Sequence, residues 1–405
     1  MSSFNNSKSN VYINNPQEKS SSRWDGFLKL YFFLGYYTCF IPFKAQVNSS
    51  EGVYHLKTWN PQKLLSLVVV WGLTWVHHIS FVINQIGFFL ATKSLNPKHY
   101  IWVALRFLFL VKHFQFFWLI TRKSEKIEEF LTLIHKRSSS SRSSPWKWVV
   151  FYMVFLHFAY ISIILGSTVF YDDYEAQFMT HIKTFSKLVE NGSRRFGFEV
   201  DIHFLGFVEI ALVAAALLNK FLVEIFFYGT LPFTLWCDAK SFQAFYLSPS
   251  STEKGSHALL QQFNEMKHLS HTANRIWANT ALVWIIEMST TMVMFLTSSV
   301  SSRKIVSSLV TTSISGFLVV ALILMAETAR VIPCFREWLL KRENRERLFQ
   351  DKHEWEMFMV ELEDHPVGIG SVGRYHINYE FLAELFVVAL TIFVVSFEKG
   401  DLESE

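Results

Sequence analysis

Apolar residues gather along this chain into long stretches separated by short polar segments. A membrane-crossing helix needs about 20 mainly apolar residues, because a hydrocarbon core of about 30 Å is crossed at 1.5 Å per residue. Seven stretches meet that length: Leu64 to Leu90, His99 to Ile120, Trp148 to Phe170, Phe204 to Phe233, Ile276 to Leu296, Ile305 to Met325 and Phe381 to Phe397. The fourth continues to Trp236, longer than a bilayer requires, so it is expected to tilt or to project into water as helix. An eighth apolar run, Phe27 to Phe43, is aromatic-rich and broken by Lys29, Gly35 and Pro42, a pattern that fits an interfacial or re-entrant segment better than a span.

Between the sixth and seventh stretches the pattern changes to helical spacing among charges. Phe335, Trp338, Leu339, Leu348, Trp355, Phe358, Met359 and Leu362 recur at that spacing from Glu327 to Tyr379, which predicts amphipathic helices outside the membrane. Their apolar faces need a partner, either one another or a second subunit. The Ser-rich segment from Ser138 to Ser144 reads as a flexible linker, with phosphorylation as a second use.

Composition strengthens the membrane reading. Hydrophobic residues make up 51% of 405, aromatics 17% and charged residues 18%, and mean hydropathy is +0.22. A soluble chain carries about 25% charged residues, so this one lacks the polar surface to cover soluble domains. A net charge of +4 is too small and dispersed for nucleic-acid binding. Cys39, Cys237 and Cys334 are too few and too far apart for a disulfide framework or a paired-cysteine zinc site. No removable signal peptide is expected at the N-terminus.

Charge also orients the spans. With the N-terminus inside, 26 Lys and Arg fall in the inner segments and 9 in the outer ones, a bias that places the N-terminus in the cytoplasm and the C-terminus outside. That orientation is opposite to a G-protein-coupled receptor's. Asn191, in Asn-Gly-Ser on the predicted outer loop, is the glycosylation candidate; Asn5 and Asn48 also sit in sequons, but on the inner side.

Enzymatic motifs fare poorly. Gly368, Gly370 and Gly373 satisfy G-x-G-x-x-G, but they follow His365-Pro366 and precede a span instead of joining a strand to a helix. His268 and His271 share a helical spacing with no further metal ligand nearby. Neither a catalytic residue, a metal site nor a cofactor is predicted.

Ionisable residues inside spans cost about 2.5 to 3.5 kcal/mol each at the helix centre and so call for a reason. Lys220 and Glu224 are four apart and can neutralise one another; His77, His78, His113 and His157 can stay neutral and bond between helices. Arg106 and Lys112 lie in the second span, and Glu209 and Glu287 stand out in the fourth and fifth, each able to pair with a histidine.

Spacing is most informative in the seventh span. At about 100° per residue, Glu380, Glu384, Thr391 and Glu398 fall within roughly 40° of one another, with Phe381, Leu385, Phe386, Leu390 and Phe393 over the remainder. Packed symmetrically in several copies, such helices would stack carboxylate rings around a cation-attracting pore. The alternative is that the three glutamates merely flank the span at its two interfaces. Between Thr391 and Glu398 the same face is apolar, and Val394 and Val395 are candidates for a ring that blocks ions by dewetting.

The two ends of the chain resemble those of a known family. Phe27-Leu28-Lys29-Leu30, Leu34-Gly35 and Ile41-Pro42-Phe43 resemble the opening of arthropod gustatory receptors, and Gly373-Arg374-Tyr375-His376-Ile377-Asn378 resembles their approach to the last helix. The family signature there is Thr-Tyr, five hydrophobics, then Gln-Phe; this chain keeps the Thr and the spacing in Thr391-Ile392, Phe393 to Phe397 and Glu398-Lys399. It departs at Ile392, Glu398 and Lys399 and carries one Ser among the five hydrophobics.

The resemblance implies a ligand-gated, nonselective cation channel in the plasma membrane of sensory dendrites. Its partners are a small-molecule tastant, permeating cations, the lipid bilayer and related subunits in a homo- or hetero-tetramer, and no nucleic acid. Thr391 and Glu398 inherit the pore role from the signature, and Glu384 joins them from the helical-face argument. Arg106, Tyr160, Glu209, Ser308 and Thr311 are pocket candidates by depth in the outer half of the spans.

The expected fold is all-α, a polytopic seven-helix membrane protein with its pore lined by the seventh helix. Residues 1–63 form the cytoplasmic N-terminal region, 64–326 the first six spans, 327–379 a cytoplasmic helical anchor, and 380–405 the pore helix with a short outer tail. Two other classes remain open. A G-protein-coupled receptor lacks support in the missing Asp-Arg-Tyr and Asn-Pro-x-x-Tyr; a secondary transporter would use Glu209, Glu287 and Lys220 as a relay, without visible duplicated halves.

Overall fold

The computed structural model describes residues 32–33, 36–37, 41, 44–48, 53–57, 65, 67–72, 75, 79, 82–83, 86, 97–140, 229–248, 251–302, 305–349, 351–364, 367–371 and 375–401. Eight helices and four short strands run through them. In chain order these are β1 (Lys44–Asn48), β2 (Val53–Lys57), α1 (Pro97–Arg122), α2 (Ser124–Ser140), α3 (Leu231–Leu247), α4 (Ser251–Ser302), α5 (Ile305–Leu340), α6 (Arg342–Leu348), α7 (Lys352–Asp364), β3 (Gly370–Ser371), β4 (Tyr375–His376) and α8 (Tyr379–Asp401).

The predicted second, fifth, sixth and seventh stretches fall inside α1, α4, α5 and α8 respectively. At 1.5 Å per residue the 52 residues of α4 reach about 78 Å, more than twice a hydrocarbon core, so its polar first half must lie beyond one. Among the described residues, one helical segment is long and apolar enough to cross a bilayer, Leu318–Leu340 of α5, with a mean hydropathy of 2.0. Of the first stretch, residues 65, 67–72, 75, 79, 82–83 and 86 are described and helical, and of the fourth, residues 229–233; the third stretch and most of Phe27 to Phe43 lie outside the described residues.

Beside the helices expected of an all-α chain stand two small antiparallel hairpins. β1 pairs with β2 from Lys44 opposite Lys57 to Asn48 opposite Val53. The hairpin survives because α2 completes it: the Tyr54 amide donates to Thr132 Oγ1 (3.1 Å) and the Leu56 amide to Glu128 Oε2 (2.9 Å). Alternation then puts Tyr54 and Leu56 in the core and leaves His55 exposed. Five residues a side with one free edge cannot stand alone. That dependence on a distant helix hides the hairpin from local pattern.

Two apolar cores stack along α4. The first joins Trp71, Phe116, Leu119, Phe130, Trp277, Trp284, Met325, Ile369 and Ile377, with Phe381, Leu382 and Leu385 of α8 packed against it. The second joins Phe242 and Tyr246 of α3, Phe263 of α4, Phe335 and Leu339 of α5, Leu348 and Phe349, and Phe358 and Leu362 of α7. Trp338, Trp355 and Met359 pack against it, so the amphipathic faces from Glu327 to Tyr379 find their partners within one chain. Phe242 and Phe335 meet edge-on at 4.9 Å between centroids, and Phe335 stacks on Trp338 at 6.0 Å, spacings within the attractive range for aromatic pairs.

On the other side of the first core, α1 shows Phe107, Phe114 and Trp118 outward. Those positions repeat along one face, and Arg122 covers the Trp118 ring at 5.3 Å. An apolar stripe ending in a tryptophan and an arginine suits lipid with its headgroup boundary near Trp118.

Candidate functional site

The N-terminal end of α8 is built by the segment that carries the glycines. Gly368 has φ +132, where L side chains rarely sit, and an added Cβ would come within 2.9 Å of the His376 ring. At Gly370 a Cβ would lie 2.4 Å from the Tyr375 carbonyl oxygen. The two glycines therefore allow β3 to close on β4, with Gly370 opposite His376, and phosphate cradling has no part in their placement.

Side chains of α4 fasten this hairpin. The Ser270 hydroxyl and the Asn274 amide both donate to the Gly368 carbonyl (2.9 and 2.7 Å), and Asn274 Oδ1 accepts from the Gly370 amide (3.0 Å). The Tyr375 hydroxyl donates to the Ala278 carbonyl. Burial pushes the Tyr375 hydroxyl up to about 12 and holds His376 below the ordinary imidazole range, so both are neutral at pH 7. Asn378 then caps α8, its Oδ1 accepting from the Phe381 amide at 2.8 Å. The Tyr-His-Ile-Asn run before the last span is thus a fastening followed by a helix cap.

From that cap α8 divides lengthwise into two unlike faces. Ala389 is buried, and Phe381, Leu382, Leu385, Ile392 and Phe393 are half-buried, all within about 120° of arc. The remaining arc, about 200° wide, is exposed and holds Glu380, Ala383, Glu384, Phe386, Val387, Val388, Leu390, Thr391 and Val394. Phe386 is 66% exposed and Val394 43%. Glu380, Glu384 and Thr391 lie close together within that arc, roughly opposite the packed face. The Thr391 hydroxyl donates back to the Val387 carbonyl (2.8 Å), which turns its methyl and its oxygen lone pairs outward.

Two charge clusters join the other helices. Lys112 of α1 and Glu287 of α4 form an ion pair with the lysine fully buried and the glutamate nearly so. Glu287 therefore pairs with a lysine and not with a histidine, and the pair replaces two separate insertion penalties by one neutral contact. At the far end of α2, Arg137 bridges Asp238 of α3 and Glu265 of α4, the latter at 2.7 Å. Burial raises Asp238 above the usual carboxylate range, and Arg137 opposes that rise.

The predicted site residues divide by what the structure describes. Glu384, Thr391 and Val394 lie on the exposed arc of α8; Val395 and Glu398 belong to the same helix, their side chains outside the described set. Arg106 sits on α1, and Ser308 and Thr311 on the first turns of α5, with side chains likewise outside it. Tyr160, Asn191 and Glu209 lie outside the described residues. Among those described, no group of three or more His, Cys, Asp or Glu side chains could hold a metal ion.

Contacts that sequence reasoning missed are the long-range ones: Lys112 with Glu287, Arg137 with Asp238, and Glu327 with Tyr379, whose hydroxyl lies 2.6 Å from the carboxylate. Lys112 and Glu287 were each visible as misplaced charges in apolar stretches. Nothing local announced the other two.

No protein-family model matches the sequence, and no curated protein sequence matches it. Solved structures do. The structure of the insect olfactory receptor OR5 from Machilis hrabei aligns over 92% of this chain and 98% of that one, with a TM-score of 0.54 and 10% identity. The same receptor in complex with eugenol aligns over 93% and 98%, again with a TM-score of 0.54 and 10% identity. The chain therefore shares its fold with an insect olfactory receptor over most of its length, at a sequence identity of only 10%.

Proposed function

We propose that this chain is a subunit of a chemosensory receptor, a ligand-gated nonselective cation channel of the gustatory type. It crosses the plasma membrane seven times with the N-terminus in the cytoplasm. Four copies, of this chain alone or with related subunits, surround a pore lined by α8. The observation that carries the reading is the unpartnered arc of α8, with its glutamates and threonine among apolar side chains, in a chain whose fold is that of an insect olfactory receptor.

In the assembled channel Glu384 and Glu398 form carboxylate rings that concentrate cations, Thr391 offers hydroxyl oxygens between them, and Val394 with Val395 forms the apolar constriction. A small polar or amphipathic organic molecule opens it from a pocket that includes Arg106, Tyr160, Glu209, Ser308 and Thr311. The complex of the structural neighbour with eugenol supports an organic ligand of this size. The ion pair with Lys112 counts against the transporter alternative, because it commits the Glu287 carboxylate that a relay would need free.

Whole-cell current tests the reading. The chain, expressed alone and with related subunits, is challenged with sugars, amino acids and bitter compounds, beside Glu384→Gln and Glu398→Gln. A ligand-evoked cation current whose divalent permeability falls in either variant is expected. Current with permeability unchanged in both variants would remove α8 from the pore. An externally accessible N-terminal tag on intact cells would overturn the topology and with it the channel assignment.

A further inference from the structure

One carboxylate stands where three helices meet beside the cap of α8. Glu327 of α5 presents one oxygen to the Tyr379 hydroxyl at 2.6 Å, and the same Oε1 lies 3.4 Å from the Arg330 guanidinium. Its other oxygen accepts from Lys240 of α3 at 3.0 Å. The carboxylate is thus split between a fixed arm, Lys240, and an arm to the first residue of α8. Tyr379 is nearly half exposed, and beside Glu327 its hydroxyl has the Arg330 guanidinium as a polar neighbour.

Position makes this contact more than a fastening. α5 is one continuous helix from Ile305 to Leu340. Ser308 and Thr311 lie about 24 to 29 Å from Glu327 along it, at 1.5 Å per residue. A displacement imposed on that helix at its outer end reaches Glu327 through a rigid rod. The hairpin to α4 is a separate attachment: it holds the residues before Asn378 through Ser270, Asn274 and the Ala278 carbonyl. Besides its apolar packing on the first core, α8 has two polar attachments at its inner end, one from α4 and one from α5, and the second, between Glu327 and Tyr379, breaks without unfolding a hairpin.

We propose that Glu327 is a coupling residue that carries movement of α5 to the inner end of the pore helix through Tyr379. The inference rests on the channel reading above and deepens it, by naming how ligand-induced motion of α5 reaches α8. Its charge matters because a hydrogen bond to a carboxylate is about twice as strong as one between neutral groups, and so transmits a pull that an amide would release.

The test compares Tyr379→Phe, Glu327→Gln, their double variant and Lys240→Met in the full chain, by single-channel recording and dose–response. Tyr379→Phe and Glu327→Gln are each expected to lower maximal open probability about tenfold, the order set by losing one hydrogen bond to a charged group. The double variant is expected to fall no further, and single-channel conductance is expected to stay unchanged. Lys240→Met removes the fixed arm and is expected to leave maximal open probability within about twofold. Additive losses, or an equal loss in Lys240→Met, would reduce Glu327 to a general fastening and overturn the proposal.

A second measurement needs no current. Amide hydrogen exchange on the purified full chain reads the peptide over residues 375–385, which is expected to exchange about tenfold faster in Tyr379→Phe. Unchanged exchange would overturn the tie itself, whereas a silent wild-type channel with faster exchange in the variant would indict the channel reading and leave the tie standing.

Discussion

The second core and α8 are both helical, both rich in Phe and Val or Leu, and nearly opposite in how they dispose of apolar surface. In the second core Phe242, Phe263, Phe335 and Phe358 are turned inward from four different helices, and each finds rings on the others. On α8, Phe386, Val387, Val388 and Leu390 face outward beside Glu384 and Thr391. A single chain completes the first arrangement. The second is left open over more than half of the helix, and an open arc mixing carboxylates with large apolar groups suits neither lipid nor water along its whole width. The proposed packing of several copies of α8 around an aqueous axis would satisfy both parts, with the glutamates toward the axis and the apolar flanks toward neighbouring subunits.

That contrast is broken most severely from inside the core. Replacing Glu287 by Leu removes the carboxylate that balances the buried charge of Lys112, a loss of about 3 to 5 kcal/mol. Thermal unfolding in detergent is expected to show it as a large fall in Tm or as failure to accumulate. Lys112→Leu with Glu287→Leu together should recover most of it, since a buried ion pair contributes little more than an apolar pair of similar volume. A double variant as unstable as the single one would mean that the pair does more than neutralise itself.

Next in size is a direct comparison of two phenylalanines. Phe335 is fully buried, touching the rings of Phe242, Tyr246, Trp338 and Phe358, so Phe335→Ala is expected to cost roughly 3 kcal/mol through the cavity it leaves. Phe386→Ala removes an exposed side chain and should change the stability of the isolated subunit by less than about 0.5 kcal/mol. Its effect is expected in the proposed assembly instead, as a shift from the assembled state toward smaller species in native mass spectrometry or size exclusion. Equal losses of subunit stability in the two variants would erase the distinction between the regions.

The same contrast explains what the sequence could reveal. Periodicity located α1, α4, α5 and α8, and the helical spacing of Phe335, Trp338, Leu339, Phe358 and Leu362 announced an amphipathic region, because these features repeat within one segment. The stripe of Glu380, Glu384 and Thr391 was likewise legible from residues on a single helix. It could not show which side of α8 would be covered; that depends on Ala389 and Leu385 meeting the first core. Which partner each residue takes across the chain was not legible locally, even where, as at Lys112 and Glu287, a misplaced charge was visible. The Lys44 to Lys57 hairpin leans on Thr132 and Glu128, Glu287 selects Lys112, and Glu327 reaches Tyr379 across fifty-two residues. The glycine triplet was visible but its meaning was not, since the positive φ of Gly368 and the close approach at Gly370 exist only once β3 meets β4.

The smallest expected effect lies at the joint between the two regions. His376 is held below its ordinary value of 6.5 chiefly by burial, with the hydrogen bond its ring N–H donates to the Val367 backbone carbonyl acting in the opposite direction. Above 6.5 the imidazole is neutral in both folded and unfolded chains and contributes nothing to pH dependence. As pH falls through 6.5 the unfolded chain takes up the proton first, so the unfolded state binds more protons and stability declines. At pH 5.5, one unit below the ordinary value, that decline is at most about 1.4 kcal/mol. It should be felt locally, as faster amide exchange over residues 367–377 at pH 5.5 than expected from the intrinsic pH dependence of exchange. The second core, with its aromatic packing, should keep its protection, and His376→Phe should remove the acid-dependent component or, by crowding Gly368, loosen the hairpin at every pH. Acid sensitivity that spread equally into Phe335 and Phe358 would show that hairpin and second core unfold as one unit, and that α8 is fastened more deeply than its single layer of contacts implies.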